Sequence, residues 1–222
     1  MSLFSGLLHH QPQLGDPLPD LTVPTTQGLL NLHDWAEGRW TVLFGHPAPF
    51  TSVCTSELAA LAAHEEAFAE RGASLLGLCA GSVEEQRSWH GDVRELHGVE
   101  VGFPIIADED NALAACLGMI HPRQSRDLPV RKTFVVGPNL RIQLIQEYPL
   151  PVGRSVGELL RIIDALQTVD RFDVAVGADW QKGDGVFLLS EDDVAPRSDR
   201  AQAVQELRPY YRVASDPWRM AA

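Results

Sequence analysis

Cysteine is scarce in this chain, which has 222 residues and only three cysteines, Cys54, Cys79 and Cys116. Their odd number and wide spacing argue against a disulfide framework. No Cys-x-x-Cys pair occurs, which disfavours a dithiol oxidoreductase. Reduced thiols in an acidic chain are typical of the cytoplasm, and we expect a cytoplasmic protein.

Positive charge and long apolar runs are also scarce. The chain has 18 Lys and Arg against 30 Asp and Glu, and its net charge is -12. This balance argues against nucleic acid or an anionic membrane as partner, because both attract basic surfaces. No apolar run approaches the roughly 20 residues of a transmembrane helix. Residues 1–19 lack a basic start and a long apolar segment, so we expect no secretory signal.

The apolar runs that are present predict an α/β fold. Residues 40–44 and 73–78 have the composition of buried strands, and residues 54–72 between them have helical periodicity up to a closing glycine. The order strand, helix, strand favours parallel pairing of the two strands. Ser82 and Glu85 have the spacing of a capping box, which predicts the start of another helix.

A hairpin and a last helix complete this pattern. Residues 130–136 and 140–147 flank a Gly-Pro-Asn turn and are expected to pair as a β-hairpin. An amphipathic helix follows and ends near Val169. Residues 1–169 therefore match a thioredoxin-like α/β layer.

The composition changes in residues 170–222, which are acidic and rich in turn residues, with one clear strand at 186–189. Tyr210, Tyr211 and Trp218 are too large for so short a segment to bury alone. We therefore expect a C-terminal α+β extension that packs on the core or on a second subunit as a dimerisation arm.

The most informative stretch runs from His46 to Leu58 and reads HPAPFTSVCTSEL. Its two prolines, Pro47 and Pro49, exclude strand and helix between them, so a stiff loop leads from a strand to a helix that begins near Cys54. Unpaired N–H groups and the dipole at a helix start favour a thiolate. A free cysteine is most often a buried structural residue, but these flanking residues favour a reactive one.

Two further residues are suited to assist Cys54. Thr51, three positions earlier, can bring its hydroxyl near the sulfur or a substrate. Arg131 stands at the start of a predicted core strand and is the best candidate for a cation, because arginine favours a thiolate without competing as a base. A rigid loop would hold these groups in place before the reaction.

The pattern Pro47-x-x-x-Thr51-x-x-Cys54 resembles the active-site motif of peroxiredoxins. The longer stretch is similar to that of the one-cysteine, peroxiredoxin-six-like subfamily. The similarity covers roughly residues 14–212. It includes residues 103–108, 117–119, 131–134, 148–149, 153–154, 162–167 and 179–180.

This resemblance implies a thioredoxin fold and a thiol-dependent peroxidase that acts in antioxidant defence. Cys54 would attack hydrogen peroxide or an organic hydroperoxide and become a sulfenic acid, which an external thiol would reduce. Thr51 and Arg131 would orient the peroxide, and Pro47 would shield the sulfur. No metal and no organic cofactor are implied.

The resemblance also implies supporting residues and an assembly. His46, Glu57 and Arg154 would surround the loop, the helix and the arginine. For His46 a structural hydrogen bond and a role in proton transfer remain alternatives. Arg154 would either interact with the helix that follows it or pair with an acid such as Glu57. The implied assembly is a homodimer, or a larger ring, in which the C-terminal arm crosses to the partner.

The chain departs from the subfamily at several positions. Pro49 and Gly81 stand where acidic or polar residues are usual, and Ser52 stands where proline is usual. A lipase-linked serine segment of some relatives corresponds to residues 37–41, where Arg39 stands at the serine position. That second activity is therefore not expected.

Other interpretations remain open for several residues. Cys79 ends a predicted strand and is either a resolving cysteine or a packed small residue, while Cys116 lies on an apolar helix face and is expected in the core. The His9-His10 pair could suggest a metal but is expected to be solvated, and His64, His90 and His97 lack an i+4 partner of ligand type, so no zinc site is expected. The whole chain could alternatively be a redox sensor or a chaperone-like assembly that uses the Cys54 sulfenate only as a signal.

Overall fold

The computed structural model describes residues 11–189 and 204–220. The His9-His10 pair and the acidic residues 191–193, both expected from the sequence to be solvated, lie outside the described residues. The helices are α1 (Leu32–Ala36), α2 (Ser52–Ala63), α3 (Glu65–Ala69), α4 (Val83–His97), α5 (Ala112–Cys116) and α6 (Val156–Phe172). The strands are β1 (Thr22–Thr25), β2 (Gly28–Asn31), β3 (Trp40–His46), β4 (Ala73–Cys79), β5 (Ile105–Ala107), β6 (Arg131–Val136), β7 (Ile142–Tyr148), β8 (Val186–Phe187), β9 (Val204–Arg208) and β10 (Tyr211–Ala214).

Seven strands form one mixed sheet in the order β2-β1-β5-β4-β3-β6-β7. The central strands β3, β4 and β5 are parallel, and β6 pairs antiparallel with both β3 and β7. The predicted parallel pair and the predicted hairpin are both present. Every residue of β3 is buried, as expected for a strand covered on both faces. Because β3 ends at His46, the loop that carries the reactive motif begins at the carboxyl end of the sheet.

One buried cluster against the sheet is aliphatic, with one methionine and one aromatic ring. Buried residues from the central strands pack with others from α1, α5 and the segments between them. They are Leu18, Val23, Leu32, Ala36, Leu43, Leu76, Leu78, Ile106, Leu113, Ala114, Leu117, Met119, Phe134, Val136 and Ile142. This rigid core fixes the ends of β3, β4 and β6, from which the motif loop, Cys79 and Arg131 project.

The start of α4 follows its sequence pattern. The Ser82 side chain accepts a hydrogen bond from the Glu85 backbone N–H, and the Glu85 carboxylate accepts one from the Ser82 N–H. The predicted capping box is therefore present. The helix ends at Gly98, whose φ of 68° is a left-handed conformation that glycine adopts without strain.

The prediction of one continuous helix over residues 54–72 was wrong. The helix begins at Ser52 and ends at Ala63, and α3 follows after His64. His64 leaves helical geometry at φ -113° and ψ 11°, and its ring nitrogen Nδ1 lies 2.8 Å from the Ala60 carbonyl. This contact gives a carbonyl at the end of α2 a hydrogen-bond partner, so the chain can interrupt the helix without leaving that group unpaired.

Contacts divide the chain into two compact units, with the division between Val156 and Gly157. In the second unit β8, β10 and β9 form an antiparallel sheet in that order. The predicted strand at 186–189 is shorter, Val186–Phe187, and the other two strands were not predicted. The small core of this unit contains Ala165, Val174, Trp180, Val186 and Ala214. The predicted boundary after residue 169 stays a prediction.

Among residues 11–189 and 204–220, no helix is both long enough and apolar enough to cross a bilayer.

Candidate active site

The Cys54 side chain lies in the first turn of α2, behind the loop of residues 47–51. Thr51 precedes the helix in an extended conformation, with φ -113° and ψ 145°, and Ser52 is the first helical residue. Phe50 has a φ of 56°, which is uncommon for a residue with a side chain. Cys54 itself is fully buried. The loop therefore turns sharply before the helix and covers the sulfur.

Several groups favour the ionised form of Cys54. Arg131 donates from Nη1 to the sulfur at 3.3 Å. Burial by itself raises the pKa of the thiol. The hydrogen bond and charge of His46, the backbone of Ala48 and the side chain of Thr51 outweigh burial and lower that pKa from 9.0 to about 6. A thiol with this pKa is mostly thiolate at neutral pH.

The position of Arg131 is fixed by three acceptors. It is the first residue of β6 and is buried. Its Nε donates to the Leu150 carbonyl at 2.9 Å, and its Nη1 donates both to the Cys54 sulfur and to the Glu57 carboxylate. A guanidinium held in this way cannot swing away from the sulfur without breaking charged hydrogen bonds.

Glu57 is the centre of a buried ionic network. Its Oε1 accepts from the backbone N–H and the Nε of Arg154, at 2.7 and 2.8 Å, and its Oε2 accepts from Nη2 at 3.0 Å. His46 Nδ1 lies 3.4 Å from the same carboxylate. Although burial raises the pKa of Glu57, the hydrogen bond from His46 and the charge and hydrogen bonds of Arg154 hold it well below its usual range. Glu57 is therefore the anion that balances two buried arginines.

Arg154 joins this network to the sheet. Its Nη1 donates to the Thr133 hydroxyl at 3.2 Å, and its Nη2 lies 3.4 Å from His46 Nδ1. Its guanidinium carbon lies 5.3 Å from the centre of the Phe44 ring, within the range of a cation–π contact. Of the two alternatives for Arg154, pairing with Glu57 is the one that the geometry supports.

A pocket of about 210 Å³ opens beside the loop and α2. Its walls include the predicted residues Pro47, Thr51 and Arg131. The remaining lining residues are Ser52, Val53, Leu128 and Leu150. Ser52 and Val53 belong to the motif, whereas nothing in the sequence indicated Leu128 or Leu150 as part of a site. Leu128 and Leu150 lie in loops without periodic pattern, so only the folded chain brings them to the pocket. The pocket is mostly apolar, with the Arg131 guanidinium as its charged group.

The other two cysteines have a different environment. Cys79 ends β4 and pairs in the sheet with His46, so it lies at the same end of the sheet as the site. Burial and the neighbouring charges of Cys54 and Glu85 raise the pKa of Cys79 well above its ordinary value. Burial and Asp108 raise the pKa of Cys116 as well. Because their pKa is raised, both thiols are favoured in the neutral form, so neither has the character of a nucleophile.

No candidate metal centre accompanies this site. In the part of the chain that the structure describes, no three His, Cys, Asp or Glu side chains are grouped so that they could hold a metal ion. The acidic and basic side chains near Cys54 instead form ion pairs and hydrogen bonds with one another.

Comparison with known proteins gives a consistent result. Residues 14–145 match the AhpC/TSA family. A peroxiredoxin of Aquifex aeolicus is 39% identical over 91% of this chain and 93% of its own length. A 1-Cys peroxiredoxin of Medicago truncatula is 38% identical over 79% of this chain and 82% of its own length.

Solved structures agree with these relatives. A yeast mitochondrial 1-Cys peroxiredoxin, described with a thiol resolving mechanism via glutathione and thioredoxin systems, has a TM-score of 0.84 and 35% identity over 91% of this chain and 99% of its own. A peroxiredoxin 6 of Arenicola marina, with a cysteine replaced by serine, has a TM-score of 0.81 and 35% identity over 92% and 98%.

This chain belongs to the AhpC/TSA family. The predicted thioredoxin-like fold and the predicted enzyme class, a thiol-dependent peroxidase of the one-cysteine peroxiredoxin kind that acts in antioxidant defence, are confirmed.

Proposed function

We propose that Cys54 is the residue at which this enzyme reduces peroxides. The thiolate attacks one peroxide oxygen, an S–O bond forms as the O–O bond breaks, and the departing oxygen takes up a proton to leave as water or an alcohol. Cys54 remains as sulfenic acid. The observation that carries this proposal is the contact of the Cys54 sulfur with Arg131, together with a pKa lowered to about 6.

Arg131 and Thr51 would act on the peroxide itself. Both line the pocket beside the sulfur, so a peroxide in that pocket meets a guanidinium and a hydroxyl. As the O–O bond breaks, negative charge develops on the departing oxygen, and a fixed cation there lowers the barrier. Pro47, which lines the same pocket, would shield the sulfur from bulk water.

Glu57, His46 and Arg154 would act through Arg131 and Cys54 rather than on the substrate. Glu57 holds the Arg131 guanidinium beside the sulfur and is itself held by Arg154. His46 favours the thiolate through its hydrogen bond and its charge. Their role is therefore to orient the catalytic groups and to keep the sulfur ionised.

The pocket supports both hydrogen peroxide and organic hydroperoxides as substrates. Val53, Leu128 and Leu150 give it apolar walls that an alkyl group could contact, while Arg131 remains available to the peroxide oxygens. No cofactor is needed, because both electrons come from the sulfur.

An external thiol would return the sulfenic acid to the thiolate. No cysteine follows Cys116 in the sequence, and burial raises the pKa of both Cys79 and Cys116. The yeast 1-Cys peroxiredoxin is described with glutathione and thioredoxin systems, which are reductants of the kind proposed. Cys79 is proposed to be a packed residue and not a resolving cysteine.

We also propose a cytoplasmic homodimer, with residues 1–169 as the peroxidase domain and 170–222 as the dimerisation arm. β7 is the last strand of its sheet, and β9 exposes both faces, so each could pair or pack with a second subunit. A ring of such dimers is a larger form of the same assembly. The alternative function, a redox sensor or chaperone-like assembly, would use the same sulfenate without rapid turnover.

A peroxide-consumption assay with three cysteine variants tests this proposal. Cys54→Ser should lose peroxidase activity, while Cys79→Ser and Cys116→Ser should keep it, because only Cys54 has stabilised thiolate character. Intact mass after one equivalent of hydrogen peroxide, with a sulfenate trap, should show one adduct on Cys54. A disulfide between Cys54 and Cys79 would contradict the one-cysteine mechanism, and slow oxidation without turnover would favour the sensor.

A further inference from the structure

Trp89 is a fully buried residue of α4 that has no part in the mechanism described above. Its indole N–H has one acceptor, the hydroxyl of Thr55, at 2.9 Å. Thr55 is the residue next to Cys54 in α2. A side chain from a different helix is thus hydrogen-bonded to the turn that carries the reactive sulfur.

The Thr55 hydroxyl is also hydrogen-bonded to the start of the helix. It donates to the Thr51 carbonyl at 2.8 Å, and the Thr55 backbone N–H donates to the same carbonyl at 2.9 Å. The Thr51 carbonyl therefore accepts two hydrogen bonds, which fix the peptide of a residue that lines the peroxide pocket. With Trp89 as donor, both the donor and an acceptor site of the Thr55 hydroxyl are used.

The same indole contacts the other side of the site. The Trp89 and His46 rings meet edge to face, with centroids 5.6 Å apart and an angle of 89° between their planes. Phe44 contacts the His46 ring in a similar edge-to-face arrangement at 5.3 Å. His46 is therefore packed against two aromatic rings, while its Nδ1 faces the carboxylate of Glu57.

We propose that Trp89 is a positioning residue for the reaction at Cys54, because it holds Thr55 and the first turn of α2 through its N–H and holds the His46 ring through its edge. The inference rests on the proposed role of Cys54 as the nucleophile. If the Trp89 N–H is lost, the Thr51 peptide and its hydroxyl gain freedom, and the geometry around the sulfur is less well fixed before the peroxide arrives.

A role in packing alone would have different consequences. A buried tryptophan contributes to stability wherever it lies, and its truncation lowers the melting temperature. Packing alone does not require that the indole N–H matter, or that a change at Trp89 alter the ionisation of Cys54. Among residues 11–189 and 204–220, Arg131 from β6 and His46 from β3 face Cys54, and Glu57 of α2 binds the same Arg131 nitrogen; all three remain in every variant below.

Three variants separate the two roles. Trp89→Phe keeps an aromatic ring and removes only the N–H donor and part of the ring. Thr55→Val keeps the shape of Thr55 and removes the hydroxyl, while Thr55→Ser retains it and is the matched control. Each variant is assayed for the rate constant of peroxide reduction and for the pH midpoint of thiolate absorbance.

We expect Trp89→Phe to lower the rate constant about fivefold, the loss of one hydrogen bond, and to move the pH midpoint. Thr55→Val loses the same bond and also the one to the Thr51 carbonyl, so it should lower the rate constant at least as much. Thr55→Ser should stay within about twofold of wild type. The double variant Trp89→Phe/Thr55→Val should be little slower than Thr55→Val alone, because Thr55→Val already removes the acceptor of the Trp89 N–H.

The inference would be overturned if Trp89→Phe and Thr55→Val both kept the wild-type rate constant and the wild-type pH midpoint of thiolate absorbance and showed only a lower melting temperature. If Trp89→Phe does not fold, Thr55→Val against Thr55→Ser decides the question alone. An active Cys54→Ser variant in the same assay would instead overturn the proposed function, so the two failures are distinguishable.

Discussion

The charge on the Cys54 sulfur results from opposing effects at a single residue. Burial favours the neutral thiol, yet the sulfur lies 3.3 Å from a guanidinium and is influenced by His46 and by the hydrogen bonds of the loop. The helix start alone would not be enough for a residue that is fully buried. Cys79 is also buried but lies near the negative charges of Cys54 and Glu85, and its pKa moves in the opposite direction.

This difference predicts how the reaction depends on pH. With a pKa of about 6, Cys54 is about one-tenth thiolate at pH 5 and about nine-tenths at pH 7. The rate constant for peroxide reduction, measured by stopped flow, should therefore rise about tenfold between these pH values and then level off.

His46→Gln serves as the control for this pH profile. It removes the imidazole charge that helps to lower the pKa of Cys54, so the pH midpoint of the rate should move upward. A wild-type rate that is still rising between pH 8 and 9 would contradict the predicted ionisation of Cys54.

At the scale of secondary-structure elements, Glu57 joins three parts of the fold. Its carboxylate belongs to α2 and accepts hydrogen bonds from Arg131 of β6 and from Arg154, which follows β7. Glu57→Gln would leave two buried guanidiniums without their anion, so we expect the free energy of unfolding to fall by about 3–5 kcal/mol. Peroxidase activity should fall as well, because Arg131 is no longer held beside the sulfur.

Glu70→Gln is the matched control, since Glu70 is an exposed acid at the end of α3. Its effect should stay within about 0.5 kcal/mol in urea unfolding at pH 7. Equal stability of the Glu57 and Glu70 variants would show that the network does not hold these elements together.

The elements differ in how well sequence alone could predict them. The loop, the start of α2 and the capping box at Ser82 could be predicted from the sequence, because each depends on residues within a few positions of one another. The reach of Arg131 to Cys54 was also expected, from its place at the start of a strand. The enzyme class rested on the motif of Pro47, Thr51 and Cys54.

What could not be predicted depends on long-range contacts or on weak patterns. At the interruption after α2, the His64 ring contacts the Ala60 carbonyl and caps the helix, and periodicity does not indicate such a contact. All five residues of β9 are exposed, so the strand has no alternation of buried and exposed residues to detect. Trp89 could be assigned to a helix, but its bond to Thr55 exists only once α4 and α2 have packed together.

At the scale of the whole molecule, the second unit presents apolar side chains to solvent. Val204, Leu207 and Tyr210 are 43%, 47% and 84% exposed. Scattered apolar residues are normal on a surface, but these lie in one strand and the turn that follows it. The cost of exposing them would fall if a second copy of the chain covered them, as in the proposed homodimer.

Light scattering on the intact chain tests that assembly. Wild type should have twice the chain mass of 24.4 kDa at micromolar concentration. Leu207→Ser/Tyr210→Ser removes apolar area without adding charge and should shift the equilibrium toward the monomer. Gln205→Ser changes the same strand without removing an apolar side chain and should remain dimeric. A dimer unaffected by the double variant would assign the interface elsewhere, with the outer edge of β7 as the next surface to test.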